Sequence, residues 1–356
     1  MRVDRVQAVQ LGTDLFCLAG APADNAHSVA EHLVESSLMG LHSHGVIRMP
    51  EYQARIDAFQ GGTTIPGGPI DPEARPTLER HGSGVARVDG HRGFGQVAAY
   101  FAADTAAQLA AENGVALVTA ANMGHIGRLG AYAARVAELG FGTLAFCSGP
   151  KWGHWVSPFG GRDGRFATNP IAYAFPNAEG QPLVADFATS AITEGAVRYT
   201  LNTGALLPVD TLRNAEGVPT RDPHDLYTDP QGTIQPLGGA TAGYKGTALG
   251  VLVELMSTIM AGESPVDEER GGNNMTLVAF AIDNDFPEEM KTYCEYVRSS
   301  RSVAPEHPVM MPGDRELANL ARSSAVEFDG ATWAALSERG ERVGIKTSTY
   351  LPSNST

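Results

Sequence analysis

The chain has 356 residues, 43% of them hydrophobic and 19% charged, with 40 acidic against 26 basic side chains and a net charge of −14. That length supports more than one folding unit and a large core, and an acidic balance with no basic stripe argues against nucleic acid as a partner. No apolar run reaches the roughly 18 residues of a membrane span, the first twenty residues lack a leader-like hydrophobic stretch, and Cys17, Cys147 and Cys294 are scattered without metal-ligand spacing, so the expected location is a reducing cytoplasm.

Residues 22–42 read as an amphipathic helix, with Asp24 or Asn25 as its cap and Val29, Leu33, Val34 and Leu38 at helical spacing. Leu41-His42-Ser43-His44-Gly45-Val46-Ile47-Arg48-Met49-Pro50-Glu51 follows, where Gly45 and Pro50 suggest a helix end running into a turn. A second helix over 51–59 leads into the glycine-rich loop 61–69, so residues 1–75 form a helical unit. The texture then alternates. Strands are expected at 84–89, 115–119, 143–147, 171–175 and 276–283, and helices at 96–113, stopped by Gly114, at 129–139, stopped by Gly140, and at 247–261. This is the pattern of an α/β layer architecture.

The His44 and Arg48 pair carries the first chemical signal. One turn apart, an imidazole that titrates near neutral pH and a guanidinium that grips a carboxylate through two parallel hydrogen bonds suit a 2-hydroxy or 2-oxo acid. A solvated helix face is the plain alternative, and His42 with His44, joined by His125 and His154, is the metal-binding or hydrolytic one. A dinucleotide fingerprint at Gly93-Phe94-Gly95-Gln96-Val97-Ala98 is superficial, because Ala120-Ala121-Asn122 stands where a ribose-binding acid belongs. Between strand and helix, Asn122-Met123-Gly124-His125-Ile126-Gly127-Arg128 offers backbone amides to a phosphate. Lys245, in Gly243-Tyr244-Lys245-Gly246 at a helix start, calls for an anionic ligand to offset the helix dipole.

These motifs, with Pro158-Phe159-Gly160-Gly161, Thr168-Asn169-Pro170, Asp186-Phe187-Ala188-Thr189-Ser190 and Met311-Pro312-Gly313-Asp314, make the sequence resemble, over nearly its whole length, the second-type malate/L-lactate dehydrogenase family. That family includes 2,3-diketogulonate reductase, ureidoglycolate and sulfolactate dehydrogenases and cyclic-imine reductases. The resemblance implies an α/β (α+β) fold with a non-Rossmann nicotinamide-binding unit and a mixed sheet over 76–300, a helical N-terminal unit over 1–75, and a segment over 301–356 returning to it. It also implies NAD or NADP as cofactor, no metal, and a homodimer with the site near the subunit interface. His44 then matches the proton donor, Ser43 its hydrogen-bonded partner and Arg48 the carboxylate clamp, while His125 lies at the nicotinamide and takes the acid/base role in some members. Ile126, Gly127, Ser148, Thr168, Asn169, Asp186, Phe187, Ala188, Tyr244, Lys245, Gly313, Asp314 and Arg315 match cofactor contacts, with Thr168 also facing substrate.

One departure concerns selectivity. Where many members carry an arginine, this chain has Glu194, a carboxylate expected to repel a second anionic group and to favour a neutral or polyol-like tail over a dicarboxylate. The long segment before Pro158 carries Trp152, His154 and Trp155, which line the substrate pocket or cover a dimer surface.

Overall fold

The computed structural model describes residues 1–269, 271–304 and 306–351. In chain order it comprises β1 (Arg2–Asp4), α1 (Arg5–Leu18), α2 (Ala23–Leu38), α3 (Met49–Gln60), β2 (Thr77–Arg80), β3 (Val85–Asp89), α4 (Gly95–Asn113), β4 (Val115–Met123), α5 (Gly130–Glu138) and β5 (Gly142–Ser148). There follow β6 (Ile171–Phe175), β7 (Leu183–Phe187), α6 (Glu194–Asn202), the two-residue strands β8 (Leu212–Arg213), β9 (Pro219–Thr220) and β10 (Thr233–Ile234), and α7 (Gly239–Glu254). The last elements are β11 (Asn273–Phe280), α8 (Phe286–Arg298), α9 (Asp314–Arg322), β12 (Ala325–Glu327) and α10 (Gly330–Val343). No helix among the described residues is long and apolar enough to cross a membrane.

The large sheet has the order β2-β3-β4-β11-β5-β6-β7. Only β3 and β4 run parallel; every other neighbouring pair is antiparallel. The sheet is therefore mixed and unlike a Rossmann sheet, whose strands are mostly parallel. On one face the alanine-rich side of α4 and the apolar side of α5 bury Ala116, Val118, Ala145, Cys147, Met275 and Leu277; methyl side chains let the helix approach closely. On the other, Phe146 and Ile171 meet Val253 of α7. α4 stops at Gly114, which takes φ +80°, as its position requires. The glycines of the superficial fingerprint serve packing: a Cβ on Gly95 would stand 2.5 Å from the carbonyl oxygen of His125, so glycine lets α4 begin hard against that loop.

A second core gathers Leu11, Leu15, Phe16, Leu33, Met49, Tyr52 and Ile56 from α1, α2 and α3. The end of the chain joins it: β12 pairs antiparallel with β1, Val326 opposite Val3, and α10 adds Trp333 and Leu336. α1 falls outside the expected elements; its cap is Asp4, which accepts the Val6 N–H at 2.9 Å. α2 is capped by neither Asp24 nor Asn25 but starts after Pro22. It stops at Leu38 because Gly40 turns to φ +83° and the Leu41 N–H returns to the Ser36 carbonyl.

Candidate active site

Between α2 and α3 the chain makes two single 3-10 turns, His42–His44 and Val46–Arg48. His44 and Arg48 are thus not neighbours on one helix face, as their spacing suggests, but are gathered by turns hinged at Gly45. A Cβ there would overlap Ser37 Oγ, which instead accepts the Val46 N–H at 3.0 Å. Arg48 is buried; its Nε donates to the Ser43 carbonyl at 2.8 Å and its Nη1 to Glu51 Oε2 at 2.7 Å. Glu51 also takes Arg55 Nη2 on Oε1 at 2.6 Å. Burial pushes the Glu51 carboxyl upward, but Arg48 and Arg55 overcome it and hold the group far below the usual carboxylate range.

His125 leaves the end of β4 and stacks on His44, ring centroids 5.8 Å apart and planes 18° from parallel. Its Nδ1 faces the Tyr52 hydroxyl at 2.7 Å and receives the Gly127 N–H at 3.3 Å, while Gln96 Nε2 donates to the Tyr52 oxygen at 2.8 Å. Since a backbone N–H can only donate, Nδ1 is an acceptor and the neutral ring carries its proton on Nε2. His44 is less constrained: its Nδ1 meets Ser43 Oγ at 2.8 Å, and a hydroxyl can donate or accept. Burial, then Arg48, lower both imidazoles, His44 to about 4 and His125 well below its ordinary value. In the free site both rings are neutral near pH 7.

α6 closes the site from the other side. Thr193 caps it, accepting the Ala196 N–H, and Gly195 lets it approach, since a Cβ there would lie 2.6 Å from Ser43 Cβ and 3.0 Å from Arg48 Nη2. Glu194 is not the bare carboxylate expected. Arg198, one turn on, grips it at 3.0 and 2.7 Å, Tyr227 donates to it at 3.0 Å, and Arg48 Nη2 stands 3.7 Å away. Burial raises the Glu194 carboxyl, but these partners outweigh it and the group is lowered. Arg198, Tyr52, Gln96 and Glu51 are absent from the sequence-derived set. Only the four-residue step from Glu194 to Arg198 could have revealed the first.

His44, Arg48, His125, Trp152, Trp155 and Glu194 line a cavity of about 110 Å³, whose wall also includes Ile126, Ser148, Thr168 and Asn169. Through His44, Gly127 and Thr168 it continues into a recess of about 350 Å³ bounded by Ser43, Asp186, Phe187 and Ala188. That recess shares Asp186 and Phe187 with a larger one of about 770 Å³, which reaches Gly313 and Arg315. The three form one groove whose narrow end holds the histidines. Asp314 stands beside it, paired with Arg298 at 2.8 Å.

Some expected contacts are arranged differently. The amides of the 126–130 loop are engaged internally: Ile126 N by Asn273 Oδ1, Gly127 N by His125 Nδ1, Arg128 N by His32 Nε2 and Gly130 N by Asp186 Oδ2 at 2.6 Å. A carboxylate thus occupies the helix N-terminus where a phosphate was expected. Tyr244 and Lys245 do not line the groove. Tyr244 is exposed and Lys245 Nζ lies 5.8 Å over its ring; α7 is kinked at Ala242, which is non-helical at φ −130°, so Lys245 does stand in the first turn of the long regular part, as its motif suggests, but away from the groove. The four histidines of the metal reading are not gathered. His42 stacks on Tyr199, and among the described residues no group of three His, Cys, Asp or Glu side chains is placed to hold a metal ion.

The family model described as malate/L-lactate dehydrogenase matches residues 3–337. The chain belongs to that family. Its relatives include an L-lactate dehydrogenase of Cupriavidus necator, 31% identical over 98% of this chain and all of that one. A Delta(1)-pyrroline-2-carboxylate/Delta(1)-piperideine-2-carboxylate reductase of Pseudomonas syringae pv. tomato is 30% identical over 90% of each. Among solved structures, a malate/lactate dehydrogenase-type protein of Escherichia coli superposes with a TM-score of 0.87 at 28% identity, covering 98% of this chain and 97% of that one. Family members of this kind are NAD(P)-dependent oxidoreductases, and the mixed sheet accords with the non-Rossmann fold that the resemblance implies.

Proposed function

We propose that this chain is an NAD(P)-dependent oxidoreductase that moves a hydride between nicotinamide and C2 of a small 2-hydroxy or 2-oxo acid carrying one carboxylate. The observation that carries the reading is the ionic set around the cavity. Arg48, Arg55 and Arg198 face Glu51 and Glu194 in one connected network, so with neutral histidines the site holds a single net positive charge. One carboxylate is balanced by that charge; a second leaves an uncompensated anion in a confined space.

Arg48 holds the carboxylate, His44 takes the proton from the C2 hydroxyl in oxidation or returns it in reduction, and His125 donates its Nε2–H beside them. Bound in the groove, the nicotinamide supplies or accepts the hydride; Ser148, Thr168, Asn169, Asp186, Phe187, Ala188, Gly313 and Arg315 would hold the dinucleotide. The groove's length and the buried, unpaired Oδ1 of Asn169 on its narrow cavity's wall fit such a ligand. A cyclic imine carboxylate suits the same clamp and proton carrier, with nitrogen in place of the carbonyl oxygen. Fluorescence titration with NADH and NADPH, then a screen of 2-oxo acids and cyclic imines for loss of nicotinamide absorbance, tests the reading. Binding of neither cofactor, or oxaloacetate reduced faster than every monocarboxylate, overturns it.

The two cores support a helical unit over 1–75, a sheet unit over 76–300 and a C-terminal segment over 301–356, of which the described part from β12 onward packs on the helical unit while 352–356 lie outside the described residues. The protein is further read as a cytoplasmic homodimer, with Tyr244 and Lys245 on the face turned to the partner. Val251, Leu255 and Ile259 recur every four residues from α7 onward and are 43, 48 and 51% exposed, an apolar stripe for a second copy. Light scattering is expected to give twice the chain mass, and Leu255→Glu to halve it; a monomeric wild type refutes the dimer. No disulfide joins Cys17, Cys147 or Cys294 among the described residues, and the cytoplasmic reading is checked by cell fractionation.

A further inference from the structure

Behind the cavity wall, Ser148 and Asn169 are joined by two buried polar residues that the proposed reaction leaves unused, Glu254 and Thr258. α7 ends in a single π-helical turn, Leu255–Ile259, a geometry frequent at functional sites. Thr258 Oγ1 donates to Glu254 Oε2 at 2.9 Å, and Ser148 Oγ hydrogen-bonds to the same Thr258 oxygen. The other carboxylate oxygen, Glu254 Oε1, accepts Asn169 Nδ2 at 2.9 Å, and the Gly250 carbonyl accepts the same amide nitrogen at 3.2 Å. Asn169 is fully buried, held at φ +41° and part of the cavity wall.

Two acceptors around Nδ2 leave the amide one orientation, since reversal would set Oδ1 against a carboxylate and a carbonyl. Oδ1 is buried without a hydrogen-bond partner. An acceptor left so costs stability unless a ligand supplies the hydrogen. Resting on the nicotinamide reading above, we propose that Glu254 is a positioning residue: it fixes Asn169 with its carbonyl oxygen available to the cavity, as the acceptor for a carboxamide N–H of the bound nicotinamide. The acidic side chain touches neither cofactor nor substrate and acts only through the asparagine.

The test compares binding, by fluorescence or calorimetric titration, of the oxidised dinucleotide and its 3-acetylpyridine analogue, whose acetyl group has no N–H. Wild-type protein is expected to bind the carboxamide form about tenfold tighter, the worth of one buried hydrogen bond. In Glu254→Gln the new amide can donate to Asn169 Oδ1 and let it turn, so the ratio falls toward one. The affinity for ADP-ribose, which lacks the nicotinamide, stays unchanged and reports that the fold is intact. Asn169→Gly keeps the positive φ without strain and removes the acceptor; it is expected to abolish the ratio too, and decides the matter if Glu254→Gln does not fold. A wild-type ratio near one, or a tenfold ratio preserved in a folded variant, overturns the proposal. Failure of the wild type to bind any dinucleotide overturns the nicotinamide reading instead.

Discussion

His44→Ala is expected to lower kcat by roughly 10²–10⁴, the usual contribution of a positioned acid or base, while NADH affinity stays at the wild-type value. The neighbouring imidazole is not oriented to serve as the base. His125 Nδ1 already receives the Gly127 N–H and faces Tyr52, so Nε2 bears the proton and offers no lone pair to a substrate hydroxyl. Stopped-flow single-turnover rates together with equilibrium titration separate the two quantities. A variant that keeps most of its rate, with His125→Ala losing its own, hands the proton to His125. The pH dependence has a definite sign. His44 is lowered to about 4 in the free site, so the basic form that oxidation needs persists down to about that pH and kcat/KM for the alcohol is level above it. Reduction needs the protonated form, and its kcat/KM falls about tenfold per pH unit through the neutral range.

The parts of this site legible in the sequence were those written locally. Gly45 and Pro50 announced a break between helices, and Gly114 stopped α4 where its αL conformation demands. Motif order pointed to a nicotinamide fold without a Rossmann fingerprint. What escaped was set by contacts between distant residues. Tyr52 faces His125 Nδ1 from 73 positions away and is itself held by Gln96 from 44, and neither spacing carries a periodic signal. β11 inserts between β4 and β5 although it follows both by more than a hundred residues, so the strand order could not be read from succession. Glu194 looked like a repelling charge because its neutralisation depends on α6 forming and presenting Arg198, and on Tyr227 folding back. Lys245 does stand in the first turn after the kink at Ala242, but its ammonium lies over the Tyr244 ring and not at the groove, a placement that the local motif does not encode.

Arg48→Met is expected to reduce kcat/KM for a 2-oxo acid by roughly 10²–10⁴, the loss of two charge-assisted hydrogen bonds to the carboxylate. Arg48 also supports Glu51, so part of the loss could be structural, and Arg48→Met with Glu51→Gln removes the stranded carboxylate. If the double variant regains thermal stability but not kcat/KM, the clamp is the cause; recovery of both refutes it. A second readout is the proton affinity of His44, which Arg48 lowers after burial does. Without the guanidinium the imidazole rises from about 4 toward its ordinary 6.5. The wild-type native state, binding fewer protons there than the unfolded chain, loses stability as pH falls through 6.5 toward 4; the variant loses less over a narrower window. A bound carboxylate screens Arg48 in the same way. With the proposed clamp in place, the bound anion would also load the proton that reduction consumes, so a 2-oxo amide lacking the charge should lose kcat as well as affinity, with a reduction profile displaced to lower pH.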